Sequence, residues 1–202
     1  MRGFLRSAAL TIACAAGMAA GPASADEIEV QHLALRATEE GLALDADFAL
    51  ELSPRLADMV SSGVPVYFVV EFELTRERWY WFDEKAASRS LHLRLSYHAL
   101  SRQYRLSTGL LQQSFSTLQE ALHLLTRVRN WLVVERTVPL AQADYEAAVR
   151  MRLDAALLPK PFQLSALTSR ELQLESAWKR FTVRAPRHVP APVESREPEE
   201  GG

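Results

Sequence analysis

The stretch Pro65–Lys85, PVYFVVEFELTRERWYWFDEK, decides the fold of this chain. In its first half every second residue is apolar: Val66, Phe68, Val70, Phe72 and Leu74. The residues between them become polar as the run proceeds, ending in Glu71, Glu73 and Thr75. Because successive strand side chains point to opposite faces of a sheet, the pattern predicts a β-strand with one buried face and one solvated face.

The second half of the stretch carries four consecutive aromatic residues, Trp79, Tyr80, Trp81 and Phe82. We interpret it as the end of a hairpin rather than as an active site, with two rings on each face. Arg76 and Arg78 precede the rings, and aromatic and arginine side chains concentrate at interaction hot spots. These six residues are therefore the candidate partner-binding surface. The alternative is a hairpin end that neighbouring loops cover.

The first 25 residues have the features of a signal peptide. Arg2 and Arg6 form a short basic segment, and a weakly apolar run covers 8–20. The small residues Ala23-Ser24-Ala25 then suit signal peptidase, so we expect cleavage after Ala25 and export to the periplasm. The alternative is a lipoprotein processed at Cys14.

Cleavage at that position defines the expected domain organisation. We predict a β-sandwich-like domain over residues 26–185 and a disordered tail, rich in proline and glutamate, over 186–202. The domain is long enough to bury a sufficient core. No segment after the signal peptide is long and apolar enough to cross a bilayer, so we expect no transmembrane segment in the exported chain.

Charge and cysteine content limit the partners and the sources of stability. Two of the 23 basic residues lie in the signal segment, so 21 Lys and Arg remain against 25 Asp and Glu. This mild acidic excess gives no electrostatic reason to expect nucleic acid as a partner. The only cysteine, Cys14, lies in the same segment. The exported chain is therefore expected to fold without disulfides and to depend on its core.

The two-residue rhythm recurs along the chain. Residues 26–37 and 42–52 alternate around a turn and predict an antiparallel hairpin. Further strands are predicted over 90–99, 104–106, 131–138, 145–153 and 172–183. The strict alternation favours a strand over 145–153, although its residues are also good helix formers.

Two helices and one bend complete the predicted fold. Ser53-Pro54 predicts a helix over 54–61, and Ser116 or Thr117 begins a second helix with a capping box. The prolines of Leu158-Pro159-Lys160-Pro161 predict an extended bend that crosses between sheets. The fold class is therefore mainly β, a single antiparallel β-sandwich-like domain with about two short helices.

A second candidate site lies on the solvated face of the central hairpin. The first strand carries Glu71, Glu73 and Glu77, and the next carries His92, Arg94 and His98. A turn near 85–87 would place carboxylates opposite imidazoles, a pattern suited to acid–base chemistry or metal binding. Since His92 and His98 lie about 20 Å apart along a strand, we favour cross-strand charge pairing. His32 is interpreted as a core residue and His123 as a solvated one.

The usual catalytic signatures are absent from the chain after Ala25. It has no thiol nucleophile, no His-Glu-x-x-His, no Gly-x-Ser-x-Gly and no phosphate-binding glycine loop. We therefore expect a protein that is not an enzyme and that needs neither a cofactor nor a metal.

Several segments recur together in this order: GVPVYFVVEFEL, RERWYWFDEK, LSYHALSRQYRLSTG, the helix before Trp131, RLDAALLPKPFQ and SAWKRF. They resemble a family of exported proteobacterial proteins described only as a domain of unknown function, over about residues 28–183. The resemblance implies a location in the Gram-negative envelope and implies no activity. It also points to a membrane sensor kinase as one candidate partner.

Three functions remain open at this point. The favoured one is a non-enzymatic periplasmic module that binds an envelope protein through the aromatic hairpin. The alternative is a lipid or small-molecule binding protein that holds its ligand between the sheets. The third is a hydrolase that uses the face carrying Glu71, Glu73 and His98.

Overall fold

The computed structural model describes residues 28–76, 84–166 and 169–184. The strands within them are β1 (Glu29–Ala37), β2 (Gly41–Ala49), β3 (Val66–Arg76), β4 (Glu84–His98), β5 (Gln103–Thr108), β6 (Leu111–Phe115), β7 (Arg127–Glu135), β8 (Asp144–Leu153) and β9 (Lys179–Arg184). The helices are α1 (Pro54–Ser61), α2 (Leu118–Leu125) and α3 (Lys160–Ala166), with 3-10 turns at Ala155–Leu157 and Arg170–Leu172.

The strands form two antiparallel sheets, which confirms the mainly β, sandwich-like prediction. The smaller sheet has the order β1-β2-β7 and the larger has the order β6-β5-β4-β3-β8-β9. β3, which forms the first half of the stretch Pro65–Lys85, lies inside the larger sheet between β4 and β8. Its ladder with β4 runs from Val66 opposite Leu95 to Arg76 opposite Glu84.

The core lies between the sheets and follows the predicted alternation. The five apolar residues of β3 on one parity, Val66, Phe68, Val70, Phe72 and Leu74, are each at most 1% exposed. The odd-numbered residues of β8, from Tyr145 to Leu153, are buried as well, so this segment is the strand that its alternation predicts. In the opposite layer the middle of β2 is buried too, at Ala43, Leu44 and Ala46.

The two predicted helices begin at the predicted caps. The Leu56 N–H donates to Ser53 Oγ at 3.3 Å at the start of α1, and Pro54 occupies its first turn. At the start of α2, the Glu120 N–H donates to Thr117 Oγ1 while the Glu120 carboxylate accepts from the Thr117 N–H. Both caps satisfy backbone donors that the helix itself leaves without a partner.

The prediction that His32 lies in the core is wrong. The β1–β2 ladder shifts register between Val30 and His32, and one extra residue in a strand moves every later side chain to the other face. Leu33 and Leu35 therefore pack against the core, while His32 is exposed. His123 is exposed on α2, as predicted.

Several strands differ from the sequence prediction. β4 begins at Glu84 rather than near Ser90, because pairing with β3 holds its polar and alanine-rich first half in a strand despite weak intrinsic preference. β6 was not predicted at all, since its residues LQQSF are mostly exposed and do not alternate. The last strand covers only Lys179–Arg184 rather than 172–183.

The predicted extended crossing at Leu158–Pro161 is also wrong beyond its first residue. Leu158 is extended, with φ −67° and ψ 155°, as a residue before proline should be. Helix α3 then covers Lys160–Ala166, because a proline in a first turn costs no intrahelical hydrogen bond. Among the described residues, no helix has the length and apolar character needed to cross a bilayer.

Candidate functional site

The β3–β4 hairpin leads directly into the predicted partner-binding surface. Arg76 and Glu84 form the last pair of the ladder, so residues 77–83 make up the connection between the two strands. Arg76 is half-buried. The other five predicted contact residues, Arg78, Trp79, Tyr80, Trp81 and Phe82, lie outside the described residues. Their role as a binding surface stays a prediction.

The structure does not gather the glutamates and histidines of this hairpin into one site. Because β4 begins at Glu84, the expected turn at 85–87 is wrong, and Glu71 and Glu73 lie opposite Ser90 and Ser88. His98 lies near the far end of β4, about 26 Å along the strand from the residue opposite Glu71. Glu77 lies outside the described residues. Over residues 28–76, 84–166 and 169–184, no group of three or more His, Cys, Asp or Glu is placed to hold a metal ion.

Glu71 instead forms an ion-pair cluster with the neighbouring strand β8. Its carboxylate accepts hydrogen bonds from Arg150 Nε at 2.5 Å and from Arg152 Nε at 3.2 Å. Burial raises the pKa of Glu71, but the hydrogen bonds and charges of the two arginines outweigh it and leave that pKa below its ordinary value. The Arg150 guanidinium lies over the Trp178 ring at 4.6 Å from its centroid. Every member has a partner, so we interpret the cluster as structural.

An open cleft of about 580 Å³ lies where β7 and the end of α2 face β4, β5 and β6. Its apolar lining is Leu91, Leu93, Leu106, Leu111, Leu124, Leu125, Val128, Trp131 and Leu132. Its polar lining is Thr108, Gln113, Arg127, Arg129 and Asn130. The volume falls within the range of ligand-binding pockets.

The β7 wall of the cleft is an irregular edge strand that two aspartates of β2 hold in place. The β2–β7 ladder shifts register at two points, and Asn130 has a positive φ of 49°. The Asn130 N–H donates to Asp45 Oδ1 at 2.7 Å. This hydrogen bond lowers the pKa of Asp45, and the Arg36 guanidinium acts in the same direction against partial burial. Asp47 pairs with Arg129.

The charged groups that line the cleft are both cations. Arg129 is fully engaged, since it pairs with Asp47 and donates to the carbonyl oxygens of Ala46 at 3.0 Å and Val128 at 2.8 Å. Arg127 is exposed and makes no ion pair with any residue in the described part of the chain. An apolar cleft with one uncompensated guanidinium is suited to binding rather than to acid–base chemistry.

Sequence reasoning placed a ligand between the sheets only as a general alternative and named none of these residues. The predicted strand over 131–138 began after Arg127 and Arg129, and β6 was missed. Alternation reports which face a residue occupies but does not report which strand lies next to it. The missed signal was the pair Asp45 and Asp47. These aspartates lie on the face of β2 that points away from its buried residues, and their charge is opposite to that of the arginines of β7.

The chain matches a protein family over most of its length. A family described as "Domain of unknown function (DUF4390)" matches residues 25–182 of the chain. The matched segment covers both sheets as far as β9. No curated protein and no solved structure matches the chain.

Proposed function

We propose that this chain, which belongs to the DUF4390 family, is an exported protein of the cell envelope that binds another envelope protein and catalyses no reaction. The observation that carries the proposal is the β3–β4 ladder, whose last pair is Arg76 and Glu84. The four consecutive aromatic residues lie between these two paired residues in the sequence. Aromatic residues with neighbouring arginines are the side chains most enriched at interaction hot spots.

The adjoining edge of β4 supports the same surface. β5 pairs with β4 only from Leu93 to His98, so residues 84–92 of β4 have no strand partner on that side within the described residues. A partner chain can therefore contact the aromatic connection and add backbone hydrogen bonds along this edge. The signal-peptide features of residues 1–25 support a periplasmic partner, and the membrane sensor kinase to which the family resemblance points is one candidate.

A photo-crosslinking residue at position 81 tests this function in living cells. We expect Trp81→photocrosslinker to yield a discrete protein adduct, and the same residue at Leu164, an exposed site on α3, to yield none. The absence of an adduct at position 81, or the same adduct from both sites, would contradict the proposal. Because the proposed function involves no catalysis, we expect Glu73→Ala combined with His98→Ala to leave the phenotype unchanged. The third hypothesis, hydrolysis, requires both residues and predicts a loss of function.

A second candidate function has its own observation. The cleft between the two sheets is large, apolar and open, and these are the usual properties of a small-molecule site. It supports the alternative in which the protein holds a lipid or another small apolar molecule between its sheets.

A further inference from the structure

The cleft offers a ligand a wide apolar surface beside a single uncompensated arginine. We infer that it binds a single-chain amphiphile with a carboxylate head group, such as a long-chain fatty acid, and that Arg127 takes the head group. This inference rests on the second candidate function, to which it adds the chemical class of the ligand and the residue that selects it.

The apolar part of the site comes from both layers of the sandwich. Leu93 and Leu106 from the larger sheet and Leu125 and Val128 from the other side are almost fully buried, so they fix the shape of the cleft before a ligand arrives. The lining residues Leu91, Leu124 and Trp131 are only partly buried and Leu111 is 73% exposed, so these four present the apolar surface to a ligand. A flexible hydrocarbon chain can follow such a surface and gains affinity from each methylene group that it buries.

The head group is assigned from charge. No carboxylate is among the residues that line the cleft. Asp47 forms an ion pair with Arg129 and lies opposite Arg127 in the β2–β7 ladder. Of the two guanidiniums that line the cleft, Arg127 is therefore the one that forms no ion pair with a described residue, and two cations share one carboxylate. A guanidinium binds a carboxylate with two parallel hydrogen bonds, and one free positive charge matches one negative charge.

The structure disfavours the other two occupants of such a cleft. An extended peptide would need a regular edge, but β7 is interrupted by two register shifts and by the positive φ of Asn130, and such irregular edges resist strand addition. β6 is only five residues long. A second copy of this chain, docked with twofold symmetry, would bring the same cationic surface of both copies together.

Trp131 lines the cleft and provides the measurement. We expect 9,10-dibromostearate, added to the purified protein below its micelle concentration, to quench tryptophan fluorescence saturably, because bromine quenches at short range. Trp131→Phe should remove the saturable component. Trp178→Phe, which alters a ring held over Arg150 outside the cleft, should preserve it. Quenching that survives Trp131→Phe would overturn the inference.

Arg127→Gln tests the head group. It is expected to weaken binding of dibromostearate about tenfold or more and to leave binding of its methyl ester unchanged. Arg55→Gln, at an exposed position on α1, is the matched control and should change neither. Equal binding of acid and ester in the unmodified protein would overturn the inference and leave the second candidate function standing. Tighter binding of lysophosphatidic acid than of stearate would overturn the carboxylate assignment.

Leu111→Asp tests the position of the chain. Leu111 lines the cleft and is 73% exposed. Leu164 on α3 is equally exposed but does not line the cleft, so we expect the fold to tolerate an aspartate at either position. We expect Leu111→Asp to abolish binding and Leu164→Asp to preserve it. Binding of neither acid nor ester would overturn both the inference and the second candidate function. A concentration-dependent dimer that Leu111→Asp disperses would instead identify a second copy as the occupant and overturn the inference.

Discussion

Two carboxylates, Asp45 and Glu71, join elements that are distant in the sequence. Asp45 fixes the irregular backbone of β7 through the Asn130 N–H, and Glu71 joins β3 to β8 through Arg150 and Arg152. The sequence predicted that Glu71 lies on the face of β3 that points away from the core, and the structure confirms this face. It could not identify the two arginines as partners, because nothing in the alternation of β3 shows that β8 lies beside it.

Both carboxylates should make the protein less stable in acid. Their pKa values are below the ordinary 3.8 of Asp45 and 4.5 of Glu71. A lowered pKa in the folded state contributes stability above the unfolded pKa, and that contribution disappears as the pH falls through the folded pKa. We expect Glu71→Gln to lower the free energy of unfolding by about 1–2 kcal/mol at neutral pH and to approach the unmodified protein as the pH falls below 4.5.

Urea unfolding at pH 7 and at pH 3 measures this difference. Glu39→Gln is the control, since Glu39 is exposed in the turn between β1 and β2, and it should change neither value. A loss in Glu71→Gln that is equal at both pH values would show that the interactions of the carboxylate charge do not contribute.

At the scale of elements, the sequence predicted best where one face of a strand is buried and the other is not. β3 and β8 alternate strictly and were confirmed. α1 and α2 were confirmed because their capping residues act locally. β6 and the first half of β4 were missed, because their conformation comes from pairing with a neighbour and not from their own residues. α3 was missed because a proline that ends one element can also begin the next.

The turn between β1 and β2 is one place where an element depends on a single residue. Gly41 has φ +147°, and a Cβ there would lie 2.0 Å from the carbonyl oxygen of Val134 on β7. The Arg136 N–H also donates to the Glu40 carbonyl oxygen at 2.7 Å, so the turn and the end of β7 are held closely together. The smaller sheet therefore needs a glycine at this position.

We expect Gly41→Ala to destabilise the protein by about 2–4 kcal/mol, since it combines an unfavourable φ with a backbone clash. Gly109→Ala is the matched control: its φ is +58°, but no atom lies within 4 Å of its Cβ position, so it should cost only about 1–2 kcal/mol. Chemical unfolding of the two variants gives the comparison. Equal losses would show that the approach to Val134 is relieved without cost.

At the scale of the whole molecule, composition and rhythm predicted the class of fold but not its arrangement. A chain whose only cysteine is Cys14 has to be held together by burial in the rest, and both sheets contribute to one core. The order of the strands could not be predicted, because alternation shows which face of a strand is buried but not which strands lie next to each other. The cleft could not be predicted for the same reason, since its lining comes from β7 in one sheet and from β4, β5 and β6 in the other.

The predicted domain boundaries, residues 26–185, lead to a test on the molecule as a whole. β9 ends at Arg184 and contributes Phe181 and Val183 to the packing around the core. We expect the chain 26–185 to unfold at the same urea concentration as the chain 26–202. The chain 26–178, which lacks β9, should lose about 2–4 kcal/mol, because two apolar side chains are no longer buried and the edge of β8 is uncovered. A fall in stability already at 26–185 would place part of the folding energy beyond residue 185 and contradict the boundary.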